Sequence, residues 1–93
     1  MRIPKYLPEA FAKVVDGLRK ERGMTKIELA QKSGIQESYL RAITYRKRNP
    51  SISVAWSIAE GLGVPVWEIL KRTEEYRKHI IKNEGKELEE EED

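Results

Sequence analysis

The sequence predicts an all-α fold: a compact five-helix domain with a helical C-terminal extension and a disordered acidic tail. Apolar residues recur at helical spacing in five segments, and Gly or Pro separates each segment from the next. No segment alternates apolar and polar residues as a half-buried strand does. With 93 residues, 39% of them apolar, the chain can build one small core. We expect the domain to span residues 1–82 and the tail residues 83–93.

The first helix is predicted over residues 8–22. Pro8 is suited to the first turn of a helix, and Gly23 follows the last turn. Four apolar residues recur at spacings that place them on one helical face: Phe11, Val14, Val15 and Leu18.

The second helix has the clearest start in the chain. Thr25 is a good N-cap, and Glu28, three residues later, completes a capping box. The helix is expected to run to Ser33 and to end at Gly34, which tolerates the left-handed backbone of a tight turn.

Three further helices are predicted over residues 36–45, residues 53–62 and residues 65–82. The third has Leu40 and Ile43 facing inward, and the basic segment 46–50 follows it. Gln36 is a poor cap for it compared with Ser or Thr. The fourth and fifth begin near Ser53 and Pro65.

The charge is divided between the two halves of the chain. Residues 1–48 contain twelve Lys or Arg and five Asp or Glu, whereas residues 49–93 contain six and eleven. Seven of the acids lie in residues 84–93. A basic body with an acidic tail indicates a polyanionic partner, and the tail could bind a basic protein partner.

The composition excludes several classes of function. The chain has no Cys and one His, and it has neither a phosphate-binding glycine loop nor a metal-ligand motif. We therefore expect no catalysis, no cofactor and no metal. No apolar run is long enough to span a membrane, and the N-terminal segment lacks a signal core, so a cytoplasmic location is expected.

The second and third helices together suggest a helix-turn-helix over about residues 25–45. A very short turn around Gly34 joins them. The positions that fix how the two helices cross are apolar, and Ala30 among them permits close approach: Leu29, Ala30, Ile35, Leu40 and Ile43. This arrangement leaves the outer face of the third helix free to present polar residues.

Residues 23–70 resemble the Cro/repressor-like, or XRE, helix-turn-helix family. The matching residues are Gly23-Met24-Thr25, Glu28-Leu29-Ala30, Gly34-Ile35, Leu40, Ile43, Arg48, Pro50-Ser51, Ile58-Ala59 and Leu62-Gly63-Val64. The resemblance implies a lambda-repressor-like five-helix domain whose third helix enters the major groove of double-stranded DNA. It covers nearly all of residues 8–70 when the first helix is included.

The resemblance also implies two sets of DNA-contacting residues. Bases would be read by Gln36, Glu37, Ser38, Arg41 and Ala42. Phosphates would be contacted by Lys26, Arg46, Lys47, Arg48 and Asn49. Gln pairs well with adenine, Glu accepts from cytosine and Arg prefers guanine, so the residue types suit these roles. Tyr39 could pack against the scaffold or contact a thymine methyl group, and packing is the favoured expectation.

Two positions depart from the family pattern. Thr44 stands where the family often has Glu, and Arg46 where it often has Gly. The family Glu usually pairs with an Arg late in the first helix, matched here by Arg19. Thr44 carries no charge, so Arg19 needs another acceptor or stays solvated.

The predicted function is sequence-specific binding of double-stranded DNA as a transcriptional regulator, in the form of a dimeric repressor on a palindromic operator. The alternative is a protein-interaction module such as an antitoxin or an adaptor. RNA binding is a third possibility, although no platform of basic and aromatic residues for stacking bases is evident.

The fifth helix carries a stripe at heptad spacing that suggests a homodimer interface. Its members are Val66, Ile69, Thr73, Tyr76 and Ile80, with Trp56 or Trp67 at the edge. Tyr76 and Ile80 lie about two turns or more beyond the other apolar positions. We expect them to need a partner surface.

Overall fold

The computed structural model describes residues 2–45 and 48–83, and every regular secondary-structure element within them is an α-helix. Five helices follow one another: α1 (Leu7–Glu21), α2 (Lys26–Ser33), α3 (Glu37–Thr44), α4 (Ile52–Leu62) and α5 (Val66–Lys82). The all-α prediction is confirmed, and each predicted boundary lies within one or two residues of the observed one. None of the helices in the described ranges is both long and apolar enough to cross a membrane.

Side-chain caps explain where two of the helices begin. Glu28 N–H donates to Thr25 Oγ1 at 3.1 Å, and Thr25 N–H donates to Glu28 Oε1 at 3.3 Å, so the predicted capping box is present. Ser51 Oγ accepts from Val54 N–H at 3.2 Å, which starts α4 one residue earlier than expected. Gln36 makes no side-chain cap at the start of α3, as its residue type predicts.

The helices pack in two main pairs, and α3 contacts one helix of each pair. α1 packs most extensively against α5 and α2 against α4, while α3 contacts both α1 and α2. The shared core contains Phe11, Val15, Leu18, Leu29, Ala30, Leu40, Ile43, Ala55, Ile58, Ala59, Leu62, Val64 and Ile69. Every residue predicted to fix the crossing of α2 and α3 is in this core or packs against it.

The stripe on α5 does not form a free surface, and the prediction that it makes the dimer interface is wrong. Ile69 and Ile80 are completely buried and Thr73 is 2% exposed within the single chain. Val66 packs against the core, and Tyr76 is half-buried.

The physical reason is that α5 lies antiparallel along α1. Arg72 of α5 approaches Glu21 at the end of α1, and Arg77 Nε donates to the carbonyl oxygen of Lys5, before the start of α1, at 2.8 Å. α1 has 15 residues and is therefore about 22 Å long, which is sufficient to cover most of α5. Ile80 is thus buried without a partner chain.

Some predictions concern residues outside the described ranges. Arg46 and Lys47, both expected to contact phosphates, lie outside them, as do residues 84–93 of the expected tail. Asn83, the first residue of that expected tail, is the C-cap of α5.

Candidate nucleic-acid interface

The turn between α2 and α3 is closed by backbone hydrogen bonds. Gly34 adopts φ 70° and ψ 27°, a left-handed conformation that a residue with a Cβ rarely takes. Ile35 N–H then donates to the carbonyl oxygen of Ala30 at 3.1 Å. Gln36 is extended and leads directly into α3. The turn therefore fixes α3 to α2 with only three intervening residues.

One face of α3 is buried in the core, and the opposite face is accessible to solvent. Leu40 and Ile43 are fully buried, and Thr44 is 8% exposed. The other arc of the helix is accessible, with Ser38, Arg41 and Tyr45 exposed and Glu37 and Ala42 half-buried. Helical periodicity places these five on one side, and we call them the exposed arc of α3.

Four of the five residues predicted to read bases, Glu37, Ser38, Arg41 and Ala42, belong to the exposed arc, and the fifth, Gln36, is the N-cap that precedes α3. Gln36, Ser38 and Ala42 line a shallow depression of about 590 Å³ together with Ile35, Tyr39 and Arg48. Glu37 and Arg41 are paired across one helical turn, with Arg41 Nη2 3.6 Å from Glu37 Oε2. Because Arg41 remains exposed, this ion pair is weak and can give way to another acceptor.

Two of the predicted phosphate-binding cations border the exposed arc. Lys26 Nζ lies 3.7 Å from the ring centroid of Tyr45. Arg48 Cζ lies 5.2 Å from the ring centroid of Tyr39, and Arg48 N–H donates to the carbonyl oxygen of Ala42 at 3.0 Å. Asn49 is exposed next to Arg48. Tyr39 is half-buried against the core, as expected.

Positive charge accumulates around Lys26. Burial lowers the pKa of its ammonium group, and the charges of Arg19, Arg41 and Lys20 lower it further, while Asp16 partly opposes them. A cation in such surroundings gains from the approach of an anion.

Arg19 donates hydrogen bonds to acceptors other than a side chain at position 44. Its guanidinium donates from Nε to Asp16 Oδ1 at 3.0 Å and from Nη1 to the carbonyl oxygen of Met24 at 2.7 Å. Thr44 instead donates its hydroxyl to the carbonyl oxygen of Leu40 at 3.0 Å. Arg19 thus ties the end of α1 to the residue before the capping box of α2, and it does so without the carboxylate common in the family.

Asp16 is held in its charged form by this arrangement. Burial would raise the pKa of its carboxyl, but the hydrogen bond and charge of Arg19, with smaller contributions from Lys26 and Lys20, outweigh burial and lower it.

Tyr45 is not among the residues that the sequence predicted to contact DNA. It is 70% exposed at the C-cap of α3, and it lies one turn after Arg41 on the exposed arc. That spacing of four residues was visible in the sequence, whereas its contact with Lys26 depends on how α2 and α3 cross.

The described residues contain no group of three or more His, Asp or Glu side chains that could hold a metal ion. The chemistry that the exposed arc and its two cations offer is hydrogen bonding and charge pairing with an anionic surface.

Comparison with known proteins agrees with this geometry. Residues 18–67 match the Helix-turn-helix family. The immunity repressor protein of Bacillus phage phi105 is 31% identical over 93 residues, covering 76% of this chain and 65% of the phage protein. The HTH-type transcriptional regulator y4dJ of Sinorhizobium fredii is 34% identical over 75 residues, covering 81% of this chain and 92% of that protein.

A solved structure has the same fold. The restriction-modification controller protein C.Esp1396I superimposes with a TM-score of 0.70 at 28% identity, covering 76% of this chain and 91% of the other. The same protein has been solved as a nucleoprotein complex. Since the family match extends over more than half of the sequence, this chain belongs to the helix-turn-helix family of DNA-binding transcriptional regulators.

Proposed function

We propose that the protein is a dimeric repressor that occupies a palindromic operator, with α3 in the major groove. The observation that carries the proposal is the exposed arc of α3, a polar surface on a rigidly packed helix with a cation at each border. An α-helix fits the major groove, where each base pair presents a distinct pattern of donors and acceptors.

Specificity in this proposal comes from the exposed side of α3. Arg41 would donate to guanine, Gln36 would pair with adenine, and Glu37 would accept from cytosine. Ser38 and Ala42 would contact base edges at closer range. Arg41 must leave Glu37 to do this, and their 3.6 Å pair on an exposed surface costs little to break.

Affinity in this proposal comes from contacts to phosphates. Lys26 and Arg48 border α3 on the described surface, Asn49 follows, and Arg46 and Lys47 belong to the same basic stretch of sequence. Each phosphate that is neutralised releases counterions, so binding should weaken steeply as salt is added.

Repression is proposed because one relative is a phage immunity repressor and because a protein that occupies an operator blocks other proteins from that DNA. Because its partner is genomic DNA, the protein is proposed to act in the cytoplasm, without catalysis.

The proposed dimer uses a surface other than the α5 stripe. Two consecutive helices that pack together leave large apolar side chains in water: on α4, Ile52 is 72% and Trp56 50% exposed, and on α5, Trp67 is 61% and Leu70 48% exposed. We call these four the α4–α5 patch. Tryptophan is enriched among residues that dominate binding energy at protein interfaces, so a second copy is the proposed occupant.

A selection experiment tests the proposed function. Purified protein is incubated with a library of random duplexes at low and at near-physiological salt, and bound sequences are recovered over several rounds. The proposal predicts a shift of all duplexes at low salt and enrichment of one inverted repeat at higher salt. A protein-interaction module would shift no duplex even at low salt, and that result would refute the proposal.

A further inference from the structure

The two ends of the helix-turn-helix are joined by a contact between a cation and an aromatic ring. Lys26 is the first residue of α2, and Tyr45 is the C-cap of α3. Lys26 Nζ lies 3.7 Å from the ring centroid of Tyr45, well within the distance at which the negative face of a ring attracts an ammonium group.

The contact fixes a side chain that would otherwise be free to move. A lysine side chain has four rotatable bonds, and holding it in one conformation costs entropy. The ring of Tyr45 supplies a surface against which the ammonium rests, and 70% exposure of Tyr45 keeps this place open to solvent. The cation is thereby held at the border of the exposed arc before any anion arrives.

The environment of Lys26 favours an anionic ligand. It stands at the N-terminus of α2, where the helix dipole disfavours a positive charge and favours a negative one. Burial and the charges of Arg19 and Arg41 lower the pKa of its ammonium group, and the opposing effect of Asp16 only partly offsets them. An approaching phosphate oxygen would offset both unfavourable effects.

We propose that Tyr45 is a positioning residue that holds the ammonium of Lys26 ready to contact a DNA backbone phosphate. This inference rests on the proposed function. Tyr45 acts through Lys26 and contacts no base. Because every duplex has the same phosphate backbone, Tyr45 should raise the affinity for all duplexes alike.

The alternative role for an exposed tyrosine on α3 is direct contact with DNA. A base contact would affect one or two positions of the selected site, and a phosphate contact by the phenol would require the hydroxyl. The proposal differs from both, because it requires the ring and Lys26 and does not require the hydroxyl.

A double-mutant cycle tests the proposal with the full chain. Tyr45→Leu, Tyr45→Phe, Lys26→Met and the double variant Tyr45→Leu/Lys26→Met are compared with wild type on the selected duplex and on a scrambled one, over a series of salt concentrations. Thermal unfolding of each variant monitors folding, and Lys71→Met, an exposed lysine on α5, is the matched charge control.

The proposal predicts that Tyr45→Leu weakens binding to both duplexes by about two- to five-fold, the effect of one cation–π contact at an exposed site. Tyr45→Phe should bind as wild type does. Lys26→Met should reduce the slope of log affinity against log salt by about one unit, which Lys71→Met should not. In the Lys26→Met background, Tyr45→Leu should have no further effect.

Three results would overturn the inference while leaving the proposed function intact: an equal loss from Tyr45→Leu with and without Lys26, a Tyr45→Phe variant as weak as Tyr45→Leu, or a loss confined to the selected duplex. Wild-type protein that binds neither duplex would instead refute the proposed function itself.

Discussion

Gly61 of α4 lies directly against the backbone of Ser33 at the end of α2. A Cβ placed on Gly61 would clash with Ser33 Oγ, and it would lie 3.0 Å from the backbone nitrogen of Ser33 and 3.2 Å from the carbonyl carbon of Lys32. Gly61 is buried, and Ser33 Oγ is buried there without a hydrogen-bond partner. The absence of a side chain at position 61 is therefore what lets α4 support the first helix of the helix-turn-helix so closely.

This close approach predicts that Gly61→Ala destabilises the protein, although alanine is the better helix former. The new methyl group would push against the hydroxyl of Ser33 and the backbone of α2, and overpacking of this kind costs about 1–3 kcal/mol. Gly17→Ala is the matched control, because Gly17 is also inside a helix but has no neighbour within 4 Å of its would-be Cβ. It should stabilise by up to about 1 kcal/mol.

Chemical denaturation of the two variants measures both changes in the free energy of unfolding. If Gly61→Ala were as stable as Gly17→Ala, the two helices would have room to separate, and the proposed tight contact would be wrong.

The ion pair of Asp16 with Arg19 predicts a stability difference that depends on pH. Asp16 has a lowered pKa in the folded protein, so it stabilises the fold above its unfolded pKa of about 3.9, and this contribution disappears as the pH falls through the lower folded value. Because the pair is partly solvated, Asp16→Asn should cost about 1 kcal/mol at neutral pH.

The free energy of unfolding of wild type and Asp16→Asn, measured from pH 7 down to pH 3, checks this prediction. The two curves should run parallel above about pH 5 and converge below about pH 4. Glu60→Gln, which neutralises an exposed carboxylate on α4, is the control. If the difference in the free energy of unfolding between wild type and Asp16→Asn stayed constant down to pH 3, the substitution would not act through the charge of Asp16.

The elements that the sequence predicted well are those set by local chemistry. Thr25 and Glu28 are three residues apart and can satisfy each other's backbone N–H groups only in a helix, so their positions alone indicate its start. Gly34 marks its end for the same kind of reason, since few other residues adopt the backbone conformation found there.

The sequence could not predict what covers a helix face. The stripe from Val66 to Ile80 has the spacing of a buried face, but periodicity does not distinguish a cover supplied by α1 from one supplied by a second chain. The acceptors of Arg19 and the contact of Lys26 with Tyr45 depend in the same way on how helices cross.

The α4–α5 patch predicts a homodimer that charge disrupts. The Trp56→Glu/Trp67→Glu double variant would place carboxylates at the centre of a two-fold interface, where like charges repel and cannot be solvated. Both side chains are at least half exposed in the single chain, so the fold should survive. Ile3→Lys is the control, because Ile3 is 48% exposed but lies outside α4 and α5.

Sedimentation velocity at tens of micromolar protein distinguishes the outcomes. Wild type and Ile3→Lys should sediment as dimers and the double variant as a monomer with unchanged helicity. A monomeric wild type, or a folded double variant that remains a dimer, would exclude this patch as the interface.

The Glu37–Arg41 pair predicts opposite effects on specific and non-specific binding. Removing the carboxylate with Glu37→Ala should strengthen binding to scrambled DNA, because a negative charge facing the phosphates is lost and Arg41 is released. The same variant should lose preference at the base that Glu37 contacts. Fluorescence anisotropy with selected and scrambled duplexes measures the two affinities, and a parallel loss on both duplexes would contradict this role.

The claim that α3 reads the operator is tested most directly by the base preferences of Gln36→Ala, Glu37→Ala and Arg41→Ala. Each variant and the wild type are titrated with the selected duplex and with duplexes that carry every single base-pair substitution. Each variant should lose about 1–3 kcal/mol of discrimination at one or two base pairs and keep the wild-type preference elsewhere. If all three variants bind every duplex with wild-type affinity and preference, α3 is not the element that recognises DNA.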